Sequence, residues 1–362
     1  MRISIDAREL CGQPTGVGRY LAGLVSAWTQ IPEARAHTFS FYSPSPLANA
    51  DAHALGDVRV IPGGNGTWWE QVQLARALVS DRPTVHFAPA YTGPVCTGIP
   101  LIVTIHDLSF VAHPEWFGFR EGLRRRWLTK RTAEIARLVL TVSDFSQREI
   151  TQRFGVPATR VRRIYHGVDR PPTARAIESG ANREPMVLFV GSIFTRRHVP
   201  DLIRAFAGVA ARHPDARLEV VGDNRTTPHE DLAAVVRDLH LEGRATIRPY
   251  VDRVTLNQLY ARAKAFAFLS DYEGFGLTPL EALAAGVPIV VQAAPVAHEI
   301  YGDAALFVSP GDLDGVGRAI ERLLFDEEER EAILKHAPRV LSQYSWERAG
   351  RETLAAIEDA ER

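Results

Sequence analysis

Two glutamates flank a glycine-containing turn in the stretch DYEGFGLTPLEALAAGVPIV, which spans residues 271–290. Glycines let a backbone approach a ligand closely, and the alanine-rich run that follows predicts a helix whose N-terminus offers N–H groups to a phosphate. A carboxylate repels phosphate but accepts hydrogen bonds from hydroxyls. Glu273 and Glu281 therefore predict a ligand with both a diphosphate and hydroxyls, which describes a nucleotide sugar. Glu273 would bind the sugar and Glu281 the ribose, around the turn residues Gly274, Phe275, Gly276 and Leu277.

Helix-end signals in the same stretch support a second interpretation. Thr278 is typical of an N-cap, Pro279 of the first helical position and Gly286 of a helix end. Thr278 and Glu281 also have the spacing of a capping box, in which the glutamate bonds back to the cap. The sequence leaves open whether Glu281 binds a ligand or only this cap.

Cations and an imidazole follow two other apolar runs. Arg196 and Arg197 come after MVLFVGS, residues 186–192, where fixed cations would stabilise a leaving nucleoside diphosphate without a metal ion. His106 ends the run LIVTIH and can donate a hydrogen bond to a sugar hydroxyl. The alternatives are two solvated surface arginines and a histidine that is satisfied within the core.

The segment TGVGRY, residues 15–20, follows the first apolar run of the chain. Gly16 and Gly18 would let backbone N–H groups approach a phosphate. A Gly-x-Gly pair without a third glycine does not indicate a dinucleotide site, and an ordinary strand-to-helix turn is the alternative.

All these residues belong to an alternating pattern of short apolar runs and helical segments. Strands are predicted at 3–6, 58–61, 85–88, 101–106 and 138–143, with helices such as 19–30 and 69–79 between them. The alternation stops over 167–185, where Pro, Gly, Ser and Asn are frequent, and then resumes. The pattern predicts an α/β protein of two Rossmann-like domains that form a cleft, with ligands at the carboxyl ends of the strands. The predicted parts are a first domain at 1–170, a linker at 171–185, a second domain at 186–343 and a helix at 344–362.

Composition excludes several classes of protein. The chain has 362 residues, of which 46% are hydrophobic and 23% charged, as expected for two folded domains. A net charge of -1 gives no indication of nucleic-acid binding. Cys11 and Cys96 are too few for a disulfide framework and have no metal-ligand spacing, so a cytoplasmic location without a metal site is expected. The start of the chain does not resemble a signal peptide, and no stretch approaches the roughly 18 apolar residues of a membrane span.

An ordered set of motifs resembles the retaining family 4 glycosyltransferases, which have the GT-B fold. Glu273 and Glu281 have the family's Glu-x7-Glu spacing, and further matches extend over nearly the whole chain. These are IDARELCGQPTGVGRY at 5–20, WWEQVQLARAL at 68–78, VTIHDLSFVAHPEWF at 103–117, LTVSDFSQREI at 140–150, HGVD at 166–169, VGSIFTRRHVPDLIRAF at 190–206 and GDAALFVSPGD at 302–312. The chain looks most like the bacterial mannosyl- and rhamnosyltransferases that build surface polysaccharides.

The resemblance implies an acceptor-side domain first, a donor-binding domain second, and a C-terminal helix that returns to the first domain. It implies metal-independent transfer of a hexose, with GDP-mannose as the expected donor, to a glycan or lipid-linked acceptor. An acceptor hydroxyl would attack the anomeric carbon on the face from which the diphosphate leaves, and the departing phosphate would take the proton. The acceptor is expected near Trp68, Trp69 and Glu70 or the loop 109–117.

Site residues follow from the same resemblance. The implied catalytic residues are His106, Glu273, Arg196 and Arg197. Many relatives have lysine at the second arginine position, and the change alters how that side chain would contact phosphate. Backbone at Tyr250 and Val251 would contact the base. The other implied donor-binding residues are Gly16, Gly18, Gly274, Phe275, Gly276, Leu277 and Glu281.

A basic segment at 119–137 has seven arginines and lysines against two glutamates, with Trp127 and Leu128 among them. A helix of this kind can rest on anionic lipid, which would place the protein on the inner face of the cytoplasmic membrane. A solvated charged face is the alternative.

Two other functions are compatible with the predicted fold. A nucleotide-sugar epimerase would form an isomer of the donor with no acceptor present, so product analysis separates it from a transferase. A non-catalytic nucleotide-sugar-binding subunit would bind the donor without transfer or hydrolysis. The combination of Glu273, Glu281, Arg196 and His106 argues against such a subunit, because binding alone does not require all four.

Overall fold

The computed structural model describes residues 1–12, 16–169 and 183–361. The chain forms two compact units: unit 1 comprises Met1–Gly167 and Tyr344–Arg362, and unit 2 comprises Val168–Gln343. Residues 171–182 of the predicted linker lie outside the described residues, and Glu184 already belongs to a strand of unit 2. Each unit is an α/β domain built on one parallel sheet, as the alternating pattern predicted.

The described residues of unit 1 form seven strands and the helices that connect them. The strands are β1 (Arg2–Asp6), β2 (Thr38–Ser43), β3 (Gly56–Val60), β4 (Val85–Ala88), β5 (Leu101–Thr104), β6 (Leu138–Thr141) and β7 (Val161–Arg163). The helices are α1 (Gly16–Gln30), α2 (Ala50–Leu55), α3 (Ala75–Asp81), α4 (Ser109–Ala112), α5 (Phe119–Ile135) and α6 (Asp144–Phe154), with a π-helical segment at Trp69–Leu74. The sheet order is β3-β2-β1-β4-β5-β6-β7.

Unit 2 repeats this architecture, with six strands in residues 168–169 and 183–343, which the structure describes. They are β8 (Glu184–Val190), β9 (Arg217–Val221), β10 (Ala245–Arg248), β11 (Ala263–Phe268), β12 (Ile289–Gln292) and β13 (Ala305–Val308). The helices are α7 (Val199–Arg212), α8 (Leu232–Asp238), α9 (Arg253–Arg262), α10 (Leu277–Ala284), α11 (Pro295–Tyr301), α12 (Leu313–Phe325), α13 (Glu327–Leu334) and α14 (Ala337–Leu341). The sheet order is β10-β9-β8-β11-β12-β13.

The strands most clearly visible in the sequence are those buried along their whole length. β5 and β6, with the sequences LIVT and LVLT, have every residue buried, because helices cover both faces of a parallel sheet. Strand β2 was not among the predicted strands, and neither were β7 and β13.

The last helix, α15 (Trp346–Glu361), belongs to unit 1. It packs on α1, where the indole N–H of Trp28 donates to the carbonyl oxygen of Gly350 at 2.9 Å. Ile357 joins Trp28 and Phe87 in the same buried core. The chain therefore returns to its first domain through its C-terminal helix, as the resemblance implied.

The strand orders fix where a ligand can bind in each unit. In unit 1 the direction in which strands are added reverses between β1 and β4, and in unit 2 between β8 and β11. Loops that leave the carboxyl ends of two such neighbouring strands run to opposite faces of the sheet, which opens a crevice where ligands of doubly wound proteins bind. Within the described ranges, no helix combines the length and apolar composition that crossing a membrane requires.

Candidate functional site

The arginines and the first glutamate of the predicted site meet at the reversal point of unit 2. Arg196 and Arg197 lie on a short 3₁₀ turn, Thr195–Arg197, in the loop after β8. Glu273 lies in the loop after β11, the strand adjacent to β8. The structure thus brings Glu273 to the two adjacent arginines, which lie 76 and 77 positions earlier in the sequence, at the edge of the sheet where a ligand is expected.

Arg197 and Glu273 form a two-pronged ion pair. The Nε and Nη2 atoms of Arg197 donate to the two carboxylate oxygens of Glu273 at 2.7 and 3.0 Å. The hydroxyl of Ser270 donates to one of the same oxygens at 2.9 Å. Paired hydrogen bonds of this kind fix the orientation of both planar groups. Glu273 is therefore held in one orientation at the reversal point.

The electrostatic surroundings keep Glu273 ionised. Burial alone would raise the pKa of its carboxyl, but the charges of Arg197 and Arg196 outweigh burial and the pKa is lowered. The side chain is 15% exposed. A carboxylate has about four acceptor positions, and the contacts from Arg197 and Ser270 occupy three of them. One acceptor position is left for a hydroxyl.

The two arginines have different surroundings. Arg197 also donates through Nη1 to the carbonyl oxygen of Ser192 at 2.9 Å, so three of its five N–H donors are directed at protein oxygens. Arg196 donates through Nε to the carbonyl oxygen of Tyr272 at 3.1 Å and stacks over the ring of Phe194 at 4.4 Å. Both side chains are largely buried, which excludes the alternative that they are solvated surface arginines.

A histidine that the sequence analysis did not consider ties the two loops together. His198 follows Arg197 directly, and its Nε2 lies 2.7 Å from Oδ2 of Asp271 in the loop after β11. Its Nδ1 lies 3.2 Å from Oδ2 of Asp201 at the start of α7. The hydrogen bond to Asp271 is the main cause of a raised pKa for His198. The ring therefore bridges two carboxylates beside the arginines, and these contacts favour its protonated form.

This bridge predicts a pH-dependent contribution to stability. Because the pKa of His198 is raised above its ordinary value of 6.5, its stabilising contribution is complete below pH 6.5 and is lost as the pH rises through the raised value. His198→Asn is expected to lower the melting temperature at pH 5.5 and to have a smaller effect at pH 8.5. Asparagine tolerates the left-handed backbone of this position, φ 47°. Equal losses at both pH values would contradict the bridge.

The helix after the site begins earlier than the sequence predicted. Its first residue is Leu277 and Gly276 occupies the N-cap with φ 92°, so the prediction of Thr278 as N-cap and Pro279 as first helical residue was wrong. The hydroxyl of Tyr301 donates to the carbonyl oxygen of Gly276 at 3.0 Å and fixes this start. The predicted end was confirmed, since Gly286 has φ 68° and donates to the carbonyl of Leu283 at 2.9 Å.

The second glutamate is more deeply enclosed than the first. Glu281 lies within α10, is 4% exposed and accepts a hydrogen bond from the hydroxyl of Tyr260 at 3.3 Å. Thr278 lies inside the helix and not at its N-cap, so Thr278 and Glu281 do not form the capping box that their spacing suggested. The binding of ribose by Glu281 stays a prediction.

The remaining donor-binding predictions of unit 2 fall into two groups. Gly274 and Phe275 are buried between Glu273 and the start of α10, so contact with a ligand there would involve backbone. Tyr250 and Val251 follow β10, the edge strand two positions from β8. Tyr250 is 47% exposed.

His106 belongs to unit 1, two residues beyond the end of β5. Its Nε2 lies 2.8 Å from the carbonyl oxygen of Pro89, and because a carbonyl only accepts, Nε2 carries the hydrogen. Burial lowers the pKa of His106, so the ring is neutral and Nδ1 is an acceptor. The sequence analysis expected His106 to donate to a sugar hydroxyl. In this tautomer, Nδ1 of His106 would instead accept a hydrogen bond from a sugar hydroxyl.

The first turn of α1 lies near this histidine. Gly16 and Gly18 are within the helix rather than in a loop before it, and Thr15 lies outside the described residues. Tyr20, one turn further, contacts the ring of His106 edge-on with centroids 4.9 Å apart. Unit 1 thus brings His106 and the glycine segment to the same end of its sheet.

The expected acceptor residues are mostly buried. Trp69 is 1% exposed and its indole N–H donates to the carbonyl oxygen of Ile61 at 2.8 Å. Glu70 is also 1% exposed and is held by Arg8 and by the hydroxyl of Thr92 at 2.7 Å. Burial, partly offset by Arg8, raises the pKa of the neighbouring Asp6 to about 6. Trp69 and Glu70 therefore form part of a buried network and do not offer their side chains to an acceptor.

Family models match both halves of the chain. The model for glycosyltransferase family 4 matches residues 14–170, and the model for glycosyl transferases group 1 matches residues 172–340. The chain belongs to the family 4 glycosyltransferases. The two matches meet at residues 170–172, within five residues of the division between the units at Gly167 and Val168.

Individual relatives of this glycosyltransferase include mannosyltransferases. It is 29% identical over 266 residues to the O-antigen chain mannosyltransferase B of Escherichia coli, an alignment that covers 70% of this chain and 69% of the relative. It is 28% identical to the O-antigen chain mannosyltransferase RfbU of Salmonella typhimurium over 63% of this chain and 64% of that protein. For the second relative, the alignment thus spans less than two thirds of its length.

Solved structures share the fold of this glycosyltransferase. The Anabaena protein Alr3699/HepE, whose crystal structure was determined in complex with UDP-glucose, superposes with a TM-score of 0.76 at 21% identity. The alignment covers 99% of this chain and 100% of that one. Together with the two parallel sheets, this likeness identifies the GT-B fold.

Several residues at the glycosyltransferase site could not be identified from spacing. Ser270, His198 and Tyr301 each contact a predicted site residue or its loop. Ser270 and His198 lie within three residues of the predicted Glu273 and Arg197. The sequence could therefore have indicated Ser270 and His198 by their positions after predicted strands. It gave no indication of Tyr301, which reaches Gly276 from α11.

Proposed function

We propose that this glycosyltransferase moves mannose from GDP-mannose to a glycan or lipid-linked acceptor in surface polysaccharide assembly, with retention of configuration. The observation that carries the proposal is the cluster of Arg196, Arg197 and Glu273 at the reversal point of the unit 2 sheet. Mannose is supported by the names of the two O-antigen relatives. The HepE structure contains UDP-glucose, a nucleotide sugar whose base differs from that of GDP-mannose, which supports a nucleotide-sugar donor in general.

The chemistry assigned to the cluster is stabilisation of the leaving group. As the sugar–phosphate bond breaks, negative charge develops on the diphosphate, and fixed cations stabilise it without reorganisation. Arg196, the remaining donors of Arg197 and the N-terminus of α10 would supply that stabilisation. Since these groups carry the charge, we propose that transfer needs no metal ion and proceeds unchanged in EDTA.

Configuration is retained if the acceptor hydroxyl attacks on the face from which the diphosphate departs. The bond from the hydroxyl oxygen to the anomeric carbon forms as the bond to the phosphate oxygen breaks, and that phosphate oxygen takes the hydroxyl proton. Glu273 would accept a hydrogen bond from a donor-sugar hydroxyl through its remaining acceptor position. The role of His106 beside the sugar stays a prediction.

Binding of the donor is tested by thermal shift with GDP, UDP, ADP and dTDP, each with and without its sugar. A ligand that binds only the folded state raises the melting temperature, and GDP and GDP-mannose are expected to give the largest increase. Arg196→Met is expected to weaken GDP binding about 10- to 100-fold, because a charge-assisted hydrogen bond is worth about 1.5–3 kcal/mol. Arg318→Met, which removes an arginine that is 67% exposed on α12 of the same unit, is the control.

Product analysis then distinguishes the reactions. Transfer predicts a new glycosidic bond whose anomeric configuration, read by NMR, equals that of the donor. An isomer of the nucleotide sugar formed without acceptor would identify an epimerase, and binding without either product would identify a non-catalytic subunit. A melting temperature that no nucleotide changes would contradict the donor site itself.

A further inference from the structure

Unit 1 presents a group of large apolar side chains to solvent. On α5, Phe119, Leu123 and Trp127 are 79%, 53% and 63% exposed. They are spaced four residues apart, so they lie on one face of the helix. Trp68, which is 71% exposed, lies close by, because the guanidinium of Arg124 on α5 donates to the hydroxyl of its neighbour Thr67. We call these four side chains the α5 surface.

The opposite face of α5 accounts for the attachment of the helix to unit 1. Leu128, Thr129, Thr132 and Ala133 are buried, and they already supply the contacts that hold α5 in place. The apolar side chains of the α5 surface therefore contribute nothing to the core. Single exposed apolar residues are normal in proteins, but a group of four with three aromatic rings indicates an interaction site.

Charge around the α5 surface identifies the kind of partner. Residues 119–137 carry seven positive and two negative side chains, a formal charge of +5, in a chain whose net charge is -1. The two glutamates pair with Arg125 at 2.9 Å and Arg131 at 3.3 Å. Arg120 and Lys130 are exposed and have no carboxylate within ion-pair distance among the described residues. The partner must therefore be both apolar and negatively charged.

We propose that the α5 surface binds the interface of an anionic lipid bilayer. Tryptophan and phenylalanine rings insert at the headgroup level, while arginine and lysine side chains extend to the lipid phosphates. Each basic residue near such a surface contributes about 1 kcal/mol, or about fivefold in affinity. This binding does not depend on the proposed sugar donor, so vesicle binding and transfer activity can fail independently.

Co-sedimentation with vesicles tests the proposal on the full chain without nucleotide. Wild-type protein is expected to sediment with vesicles of phosphatidylcholine and phosphatidylglycerol, but not with phosphatidylcholine alone, and salt is expected to release it. The variant Phe119→Ser/Leu123→Ser/Trp127→Ser is expected to lose at least about tenfold in affinity, since most of the inserted apolar surface is removed. The variant Arg120→Gln/Lys130→Gln is expected to lose about 25-fold.

Matched substitutions on unit 2 serve as controls. Val254→Ser removes an apolar side chain that is 67% exposed, and Arg318→Gln removes an arginine that is 67% exposed; neither is expected to change vesicle binding. Equal sedimentation of all variants, or no sedimentation of the wild type, would overturn the proposal. A wild-type dimer that the triple serine variant converts to a monomer in analytical ultracentrifugation would assign the surface to a second copy instead.

Discussion

Glu273→Gln is expected to lower kcat for sugar transfer at least about 100-fold, which corresponds to about 2.7 kcal/mol of barrier. Glutamine has nearly the shape of glutamate but no charge. It would lose the charge-assisted pair with Arg197 and the acceptor position that we assign to a sugar hydroxyl. The measurement is steady-state transfer with saturating donor and acceptor.

The same substitution is expected to affect stability, because it removes one partner of a largely buried pair. Breaking such a pair costs about 3–5 kcal/mol when the remaining charge has no other partner. Arg197 keeps its bond to the carbonyl of Ser192 at 2.9 Å, so we expect a loss at the lower end of that range. Urea unfolding of wild type and variant measures it. Adding Arg197→Met removes the unpaired charge and is expected to recover part of the stability without recovering activity.

A second ion pair in unit 2 provides the control. Glu219 on β9 accepts from Nε and Nη2 of Arg248 at 2.8 and 3.3 Å, and its side chain is 10% exposed, close to the 15% of Glu273. Its partner Arg248 is 43% exposed, whereas Arg197 is 14% exposed, so Glu219→Gln should reduce stability by a smaller amount and leave kcat within about twofold. If Glu219→Gln and Glu273→Gln reduced kcat equally, Glu273 would have a structural role only.

Much of the fold could be predicted because buried parallel strands have a simple sequence pattern. Continuous apolar runs such as LIVT and LVLT are strands that helices cover on both faces. Strand β13, ALFV, was missed although it is a short apolar run, and the other two missed strands lack that pattern: β2, TFSFYS, alternates aromatic and hydroxyl residues, and β7 is only three residues long with two arginines. Neither contains a long enough apolar run to be distinguished from a loop.

The site could be predicted as a location but not as a set of contacts. The sequence placed Arg196, Arg197 and Glu273 after apolar runs, and the structure has them at the carboxyl ends of β8 and β11. This edge of the sheet follows from the fold class. The pairing of Arg197 with Glu273 depends on β8 and β11 being neighbours, which is a property of strand order. The tautomer of His106 depends on the carbonyl of Pro89, 17 residues away. Local spacing carries no information on such contacts.

The start of α10 was placed wrongly for a related reason. Thr278 and Pro279 have the residue types that most often begin a helix, but Gly276 can adopt φ 92° and starts the helix two residues earlier. The partner that favours this conformation is Tyr301, which is 25 residues away in the sequence. A tertiary contact therefore overrides a local preference at the position next to the proposed donor.

Gly276→Ala is expected to reduce the free energy of unfolding by about 2–4 kcal/mol, because two separate costs add. The positive φ of 92° disfavours any residue with a Cβ. A Cβ at this position would also lie 2.0 Å from the hydroxyl oxygen of Tyr301, far inside contact distance. Urea unfolding monitored by fluorescence measures the loss, and the donor KM is expected to rise because the displaced backbone leads into α10.

Two comparisons separate the costs of this substitution. Gly243 has φ 75° and no atom within 4 Å of an added Cβ, so Gly243→Ala measures the backbone cost alone, about 1 kcal/mol. Tyr301→Phe removes the clashing oxygen and leaves the ring carbon Cζ at 3.2 Å. In the Tyr301→Phe background, Gly276→Ala should therefore cost little more than Gly243→Ala does in the wild type. If Gly276→Ala cost as much in the Tyr301→Phe background as in the wild type, contact with the Tyr301 hydroxyl would not be the reason that a side chain is excluded at residue 276.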